Sequence, residues 1–146
     1  MSSRKLSVIG FAVAVAGLVG LYRIDALFDK NPVTIGLQVL AALLMIWARI
    51  TFGMRSFHAA ADPTEGELVT RGPYAFVRNP IYTAAVLFAF AGAAAHPSLA
   101  SAGFALLVLG GMLVRIHFEE QALRERYKEA YAAYCKRVKR LVPFVF

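Results

Sequence analysis

Four stretches of this 146-residue chain are almost free of charged side chains, and each is close to the length of a membrane crossing. They occupy residues 6–22, 33–48, 81–95 and 99–118, the last interrupted only by Arg115 near its end. A helix needs about 20 apolar residues to cross a hydrocarbon core. Hydrophobic residues make up 59% of the chain and charged residues 17%, against about a quarter charged in soluble domains. A soluble globule of this length has too little interior to hide so much apolar surface. The expected fold class is therefore an all-α integral membrane protein, with about four transmembrane helices as two hairpins plus a C-terminal amphipathic helix, in a single membrane domain over residues 1–146.

Arg4 and Lys5 ahead of the first apolar run are also how a secretory signal begins. However, Ala12, Ala14, Ala16 and Gly17 lie inside the run rather than at its end, so an uncleaved first span is expected. Asp25, Asp29, Lys30, Asn31 and Pro32 make a polar turn after it, and His96, Pro97 and Ser98 make a tighter one between the third and fourth spans. Small residues, among them Ala84, Ala89, Gly92, Gly103, Gly110 and Gly111, allow the close backbone approach that membrane helices rely on.

The sixteen Lys and Arg against nine Asp and Glu, a net charge of +7, read first as a basic surface. Their positions argue for orientation instead of nucleic acid. Arg4 and Lys5, then Arg49, Arg55, Arg71 and Arg78, then a basic closing segment alternate with two loops that carry a balanced set and none. Both termini and the middle loop are thus expected on the cytoplasmic side, of a prokaryotic plasma membrane. Cys135 is the only cysteine, so no disulfide framework exists, and no Cys/His spacing suggests a metal.

Residues 119–138 are highly charged but keep Leu123, Tyr127, Tyr131, Tyr134 and Val138 on one helical face. An amphipathic helix on the cytoplasmic surface is expected there. Two places break the membrane pattern. One is the loop over residues 59–80, whose part from Gly66 onward carries two prolines and two glycines into the third span; the other is Arg115 with Glu119 and Glu120. Each has an ordinary explanation. Asn79–Pro80 suits a helix start, Arg78, Tyr74 and Tyr82 suit a membrane interface, and Arg115 with Glu119 suits an i,i+4 ion pair. Even so, an arginine one turn inside the boundary is costly unless it faces a polar cavity or a partner.

Together these places resemble the isoprenylcysteine carboxyl methyltransferase family and its relatives among membrane phospholipid methyltransferases. The resemblance rests on Gly72-Pro73-Tyr74, Arg78-Asn79-Pro80-Ile81-Tyr82 and Glu119-Glu120-Gln121-Ala122-Leu123, followed by Tyr131, Tyr134, Val138, Arg140 and Pro143. The family's Arg-His-Pro motif has its histidine replaced by Asn79, which cannot titrate near neutral pH. The resemblance implies S-adenosylmethionine as cofactor, contacted at Gly66, Glu67, Leu68, Val69, Tyr74, Asn79, Pro80, Ile81, Tyr82 and Glu119. It also implies a lipophilic small-molecule or lipid substrate held by Arg115, most naturally a carboxylate or thiol.

An ionised acceptor needs no general base, whereas the amine of a phospholipid would need one, for which Glu120 is the candidate. Two other readings are a small four-helix transporter or assembly subunit, and a membrane reductase binding NADPH. The first is disfavoured because Gln38 alone offers polarity in the interior of these spans.

Overall fold

The computed structural model describes residues 3–53 and 67–146, most of which are helical, as the uncharged runs require. Among the described residues the helices are α1 (Ser3–Arg23), α2 (Pro32–Phe52), α3 (Pro80–Ala95) and α4 (Leu99–Arg137), with a 3-10 turn at Gly72–Ala75 between α2 and α3. α1, α2 and α4 are long and apolar enough to cross a membrane. α3 has 16 residues, about 24 Å at 1.5 Å per residue, which falls short of a hydrocarbon core of about 30 Å.

Local chemistry sets the helix starts. The Asn31 side chain accepts the Val33 N–H at 2.9 Å, and Pro32 supplies the preset first turn of α2. α4 opens with a reciprocal cap in which Ser98 Oγ accepts the Ser101 N–H and Ser101 Oγ accepts the Ser98 N–H. Asn79 occupies the cap position of α3 but makes no side-chain cap; its amide is used elsewhere.

Packing does not follow chain order. Short turns favour α1 beside α2, yet α1 lies along α4, α4 meets α3, and α3 carries α2. Small residues explain the choice. Gly111 of α4 rests on the Gly10 carbonyl and on Ala14 of α1, so that a methyl group at Gly111 would overlap backbone atoms. Gly92 of α3 sits equally close to the carbonyls of Ala26 and Leu27. Gly103 and Gly110, which belong to the same small-residue pattern, face open space. Outward-facing Val8, Val15 and Val19 of α1, with Val39, Leu43 and Ile46 of α2, form apolar faces suited to lipid.

Gln38 is buried, and its amide nitrogen donates to the Leu27 carbonyl at 2.6 Å and, more weakly, to that of Phe88 at 3.4 Å. One side chain thus ties α2 to the first turn and to α3. His96 ends α3, and its Nε2 lies 3.1 Å from both the Phe28 carbonyl and Asp29, joining the two short turns on that face.

Residues 119–138, expected as a C-terminal amphipathic helix, are helical as far as Arg137 and follow directly on the fourth span within α4. No Gly or Pro occurs between Met112 and Val142 to end the helix, and it runs on for 39 residues with a single break at Lys128, φ 44° and ψ −114°. The part of this helix before the kink, Leu99 to Tyr127, is already about 44 Å long and outruns the hydrocarbon core, so its distal part projects beyond it. The stripe of Tyr131, Tyr134 and Val138, with Leu123 and Tyr127, is covered by the protein's own Leu68 rather than by lipid.

A paired substitution tests the close α1–α4 crossing. Gly111→Ala should lower the thermal midpoint in detergent, by an overpacking penalty of about 1–3 kcal/mol. Gly110→Ala, which gains a methyl in open space, should leave it unchanged or raise it slightly. Equal midpoints for the two variants would contradict this packing.

Candidate active site

The site is built where the start of α3 meets the far part of α4. Glu119 and Glu120 are adjacent, but successive helical residues point about 100° apart, and the two carboxylates serve different neighbourhoods.

Glu119 faces α3. Tyr82 donates its hydroxyl to Glu119 Oε1 at 2.5 Å, and Arg115 Nε lies 2.6 Å from the Tyr82 oxygen and 3.1 Å from the same carboxylate oxygen. Arg115 is 5% exposed. Its guanidinium stands 5.2 Å from the centroid of Phe11 on α1 and 5.8 Å from that of Tyr82, geometry in which an aromatic face attracts a cation. The costly arginine is thereby paired, stacked and held in one plane. A quarter of the Glu119 side chain stays accessible.

Glu120 is almost entirely enclosed, at 1% exposure. Arg78 Nε donates to its Oε1 at 3.1 Å, as does the Asn79 amide at 3.1 Å. Arg140 grips Oε2 with two nitrogens at 2.9 and 3.2 Å, and Arg124 stands 3.8 Å from it. Arg78 also donates through Nη1 to the carbonyls of Cys135 and Val138, acceptors that a helix end leaves without intrahelical partners. Asn79 donates additionally to the Arg140 carbonyl. The Arg-Asn-Pro motif is thus a clasp on α4 as well as a helix start.

The loop is pinned on its other side by α2. Gly72, at φ +61°, lies against Thr51 and Trp47, where any side chain would be both strained and obstructed. Tyr74 packs its ring 5.7 Å from that of Phe52 and accepts the Tyr134 hydroxyl on its carbonyl at 2.6 Å. Burial pushes the Tyr74 phenol above its ordinary pKa; Tyr134 and Glu119 add to this and Arg49 opposes it. The phenol therefore remains protonated at neutral pH. A cleft of about 210 Å3 opens between loop and helix, lined by Thr70, Ala75, Tyr134, Arg137 and Val138.

Of the residues singled out in the sequence, Tyr82, Arg115 and Glu119 form one cluster. Asn79 belongs to the Glu120 clasp. Pro80 is buried, Ile81 half-buried and Tyr74 buried in the loop core. Leu68 packs on the tyrosine stripe, Val69 is half-buried and Glu67 is exposed; Gly66 lies outside the described residues. Sequence reasoning missed Phe11 under Arg115, and Trp47 and Thr51 under Gly72. An aromatic or a threonine in a hydrophobic span carries no local signal of such a contact.

Because Glu120 balances cations from three parts of the chain, Glu120→Ala should destabilise strongly, by about 3–5 kcal/mol for a broken buried ion pair. Glu125→Ala, on the exposed face of the same helix, should leave the midpoint unchanged. Thermal unfolding of the two variants side by side checks this, and similar losses in both would refute the clasp.

Comparison with known proteins adds the family. The family model described as phospholipid methyltransferase matches residues 31–130, which takes in α2, the loop, α3 and α4 as far as Ala130. Comparisons with curated proteins and with solved structures return no match. The chain belongs to the phospholipid methyltransferase family, a family of membrane methyltransferases that includes the isoprenylcysteine carboxyl methyltransferases.

Proposed function

We propose that this protein transfers a methyl group from S-adenosylmethionine to a lipophilic acceptor that reaches the site already ionised, a carboxylate such as that of isoprenylcysteine, a similar apolar acid, or a thiolate. The observation that carries the reading is the buried Tyr82–Arg115–Glu119 cluster at the membrane boundary, with its carboxylate partly open. When bound, the cofactor supplies an electrophilic methyl group on a sulfonium. Its positive groups suit Glu119 and the ring of Tyr82, and the cleft between loop and helix offers room beside Thr70 and Tyr134. With the basic flanks facing the cytoplasm, the cofactor enters from that side and the acceptor from the bilayer.

Arg115 is suited to hold the acceptor. Its Nε–H is committed to Tyr82 and Glu119, so the guanidinium plane is preset, and a preset fork favours bidentate capture of a carboxylate. Displacement at a methyl carbon depends mainly on alignment, which this rigidity provides.

On this reading Glu120 positions the loop and does not transfer a proton. A general base must come within hydrogen-bond reach of the proton it removes, whereas both Glu120 oxygens are occupied by Arg78, Asn79 and Arg140 in an enclosed site. An amine that must first lose a proton is therefore the less suited acceptor. The description of the matching family keeps a phospholipid amine as the second reading.

Calorimetric titration of the protein in nanodiscs with S-adenosylmethionine, or with its demethylated product, should give saturable binding. Its absence would remove the proposal. Glu119→Ala should weaken that binding about 10- to 100-fold, the worth of one charge-assisted hydrogen bond. Arg115→Ala should spare cofactor binding and abolish turnover, and Arg115→Lys should not restore it, because an ammonium lacks the planar fork. Mass spectrometry of extracts from cells with active protein or with Arg115→Ala should reveal the acceptor as an acid or thiol heavier by one methylene. A methylated phospholipid amine in its place would establish the second reading.

A further inference from the structure

Beyond α4 the chain turns back onto the start of α3. The Lys139 and Arg140 carbonyls accept the N–H groups of Arg78 and Asn79 at 2.8 and 3.2 Å, Val77 pairs in parallel with Lys139, and Thr83 Oγ1 donates to the Leu141 carbonyl at 2.9 Å. The segment then closes on itself, with the N–H groups of Leu141 and Val142 donating to the Phe146 carbonyl at 2.6 and 2.7 Å. At its tip Phe144 adopts φ 65°, a left-handed conformation unfavourable for a bulky side chain. Phe144 is 85% exposed and Val145 74%, with Val142 and Phe146 about half exposed. A closed turn that holds apolar side chains outward in a strained conformation is poorly matched to water.

Depth identifies a better match. The start of α3 follows directly on Arg71 and Arg78 and pairs with the backbone of Lys139 and Arg140, a density of cations that belongs at a membrane boundary rather than in the hydrocarbon core, and the bond from Thr83 fixes residues 141–146 at that same depth. Around them Lys136, Arg137 and Lys139 are exposed, and no acidic residue occurs from Ala130 to Phe146. Apolar tips flanked by cations match the boundary of an anionic leaflet, whose acyl chains take the apolar groups and whose phosphates take the charge.

We infer that residues 141–146 form an interfacial hook, with Phe144 and Val145 inserted among anionic lipids and Lys136 and Lys139 facing their phosphates. The hook bears on the clasp, because Arg140 at its base pairs with Glu120 and stands 5.6 Å from the Phe146 ring. Lipid contact therefore steadies the residue that helps to fix the loop before α3.

The test is independent of any methyl transfer. Trp47 is the only tryptophan, so a Trp47→Phe, Phe144→Trp chain carries a single reporting indole. In nanodiscs of mixed phosphatidylcholine and phosphatidylglycerol its emission should be blue-shifted, and bromine placed near the carbonyl end of the acyl chains should quench it about twofold or more, as expected for an interfacial depth. If Trp47→Phe lowers the yield, the difference in quenching between Phe144→Trp alone and the parent chain measures the same quantity. Emission at the wavelength of free indole without bromine quenching would overturn the proposal. A blue shift insensitive to bromine would overturn it as well, by showing that protein, such as a second copy of the chain, covers the hook.

Discussion

One buried carboxylate holds this end of the molecule together. Glu120 receives Arg78 and Asn79 from the segment before α3, Arg140 from the segment after α4, and Arg124 from its own helix. Enclosing a lone carboxylate would be prohibitive, and enclosing one that several donors satisfy is tolerable. The converse also holds, since without it Arg78 would keep its two carbonyl acceptors and lose the carboxylate that balances its charge. The loop, the start of α3 and the closing segment are therefore mutually dependent, and neither the apolar helices nor their lipid contacts would specify that arrangement by themselves.

The neighbouring Glu119 shows what this constraint makes available. With Glu120 anchoring α4 against the loop, Glu119 is held toward α3 at the level of Tyr82 and Arg115. Arg115 sits one turn earlier on α4, beside Phe11 of α1, and the α1–α4 crossing at Gly10 and Gly111 lies one turn earlier again. Close backbone approach at that crossing is what brings an aromatic ring from the first span over an arginine on the fourth. The small residues in the membrane thus act on the site through distance, although none of them carries chemistry.

Much of this was legible in the sequence because the controlling physics is local. Uncharged runs locate the helices, Asn31–Pro32 and Ser98 mark their starts, and the polar breaks at Arg115, Glu119 and Glu120 mark where a membrane helix has a reason to be polar. What was not legible depends on partners distant in the chain. Nothing local says that α1 prefers α4 to α2, because Gly10 and Gly111 signal closeness without naming each other. The tyrosine stripe after Glu119 has the period of a membrane-surface helix, and it takes the position of Leu68 across a gap in sequence to show that protein covers it. Glu119 and Glu120 look alike in the sequence, and only their different directions on the helix, about 100° apart, separate a partly accessible carboxylate from an enclosed one.

The asparagine at position 79 follows from the same balance of charge. The motif that this segment resembles has histidine at that place, whereas here three arginines already surround a single carboxylate. A fourth donor is useful to Glu120, but a fourth cation would add repulsion among groups withdrawn from water. The Asn79 amide donates to Glu120 Oε1 and to the Arg140 carbonyl without carrying charge at any pH. In this chain the position has therefore become part of the scaffold, and proton handling cannot be its function; what it preserves is the geometry by which the loop is held against α4.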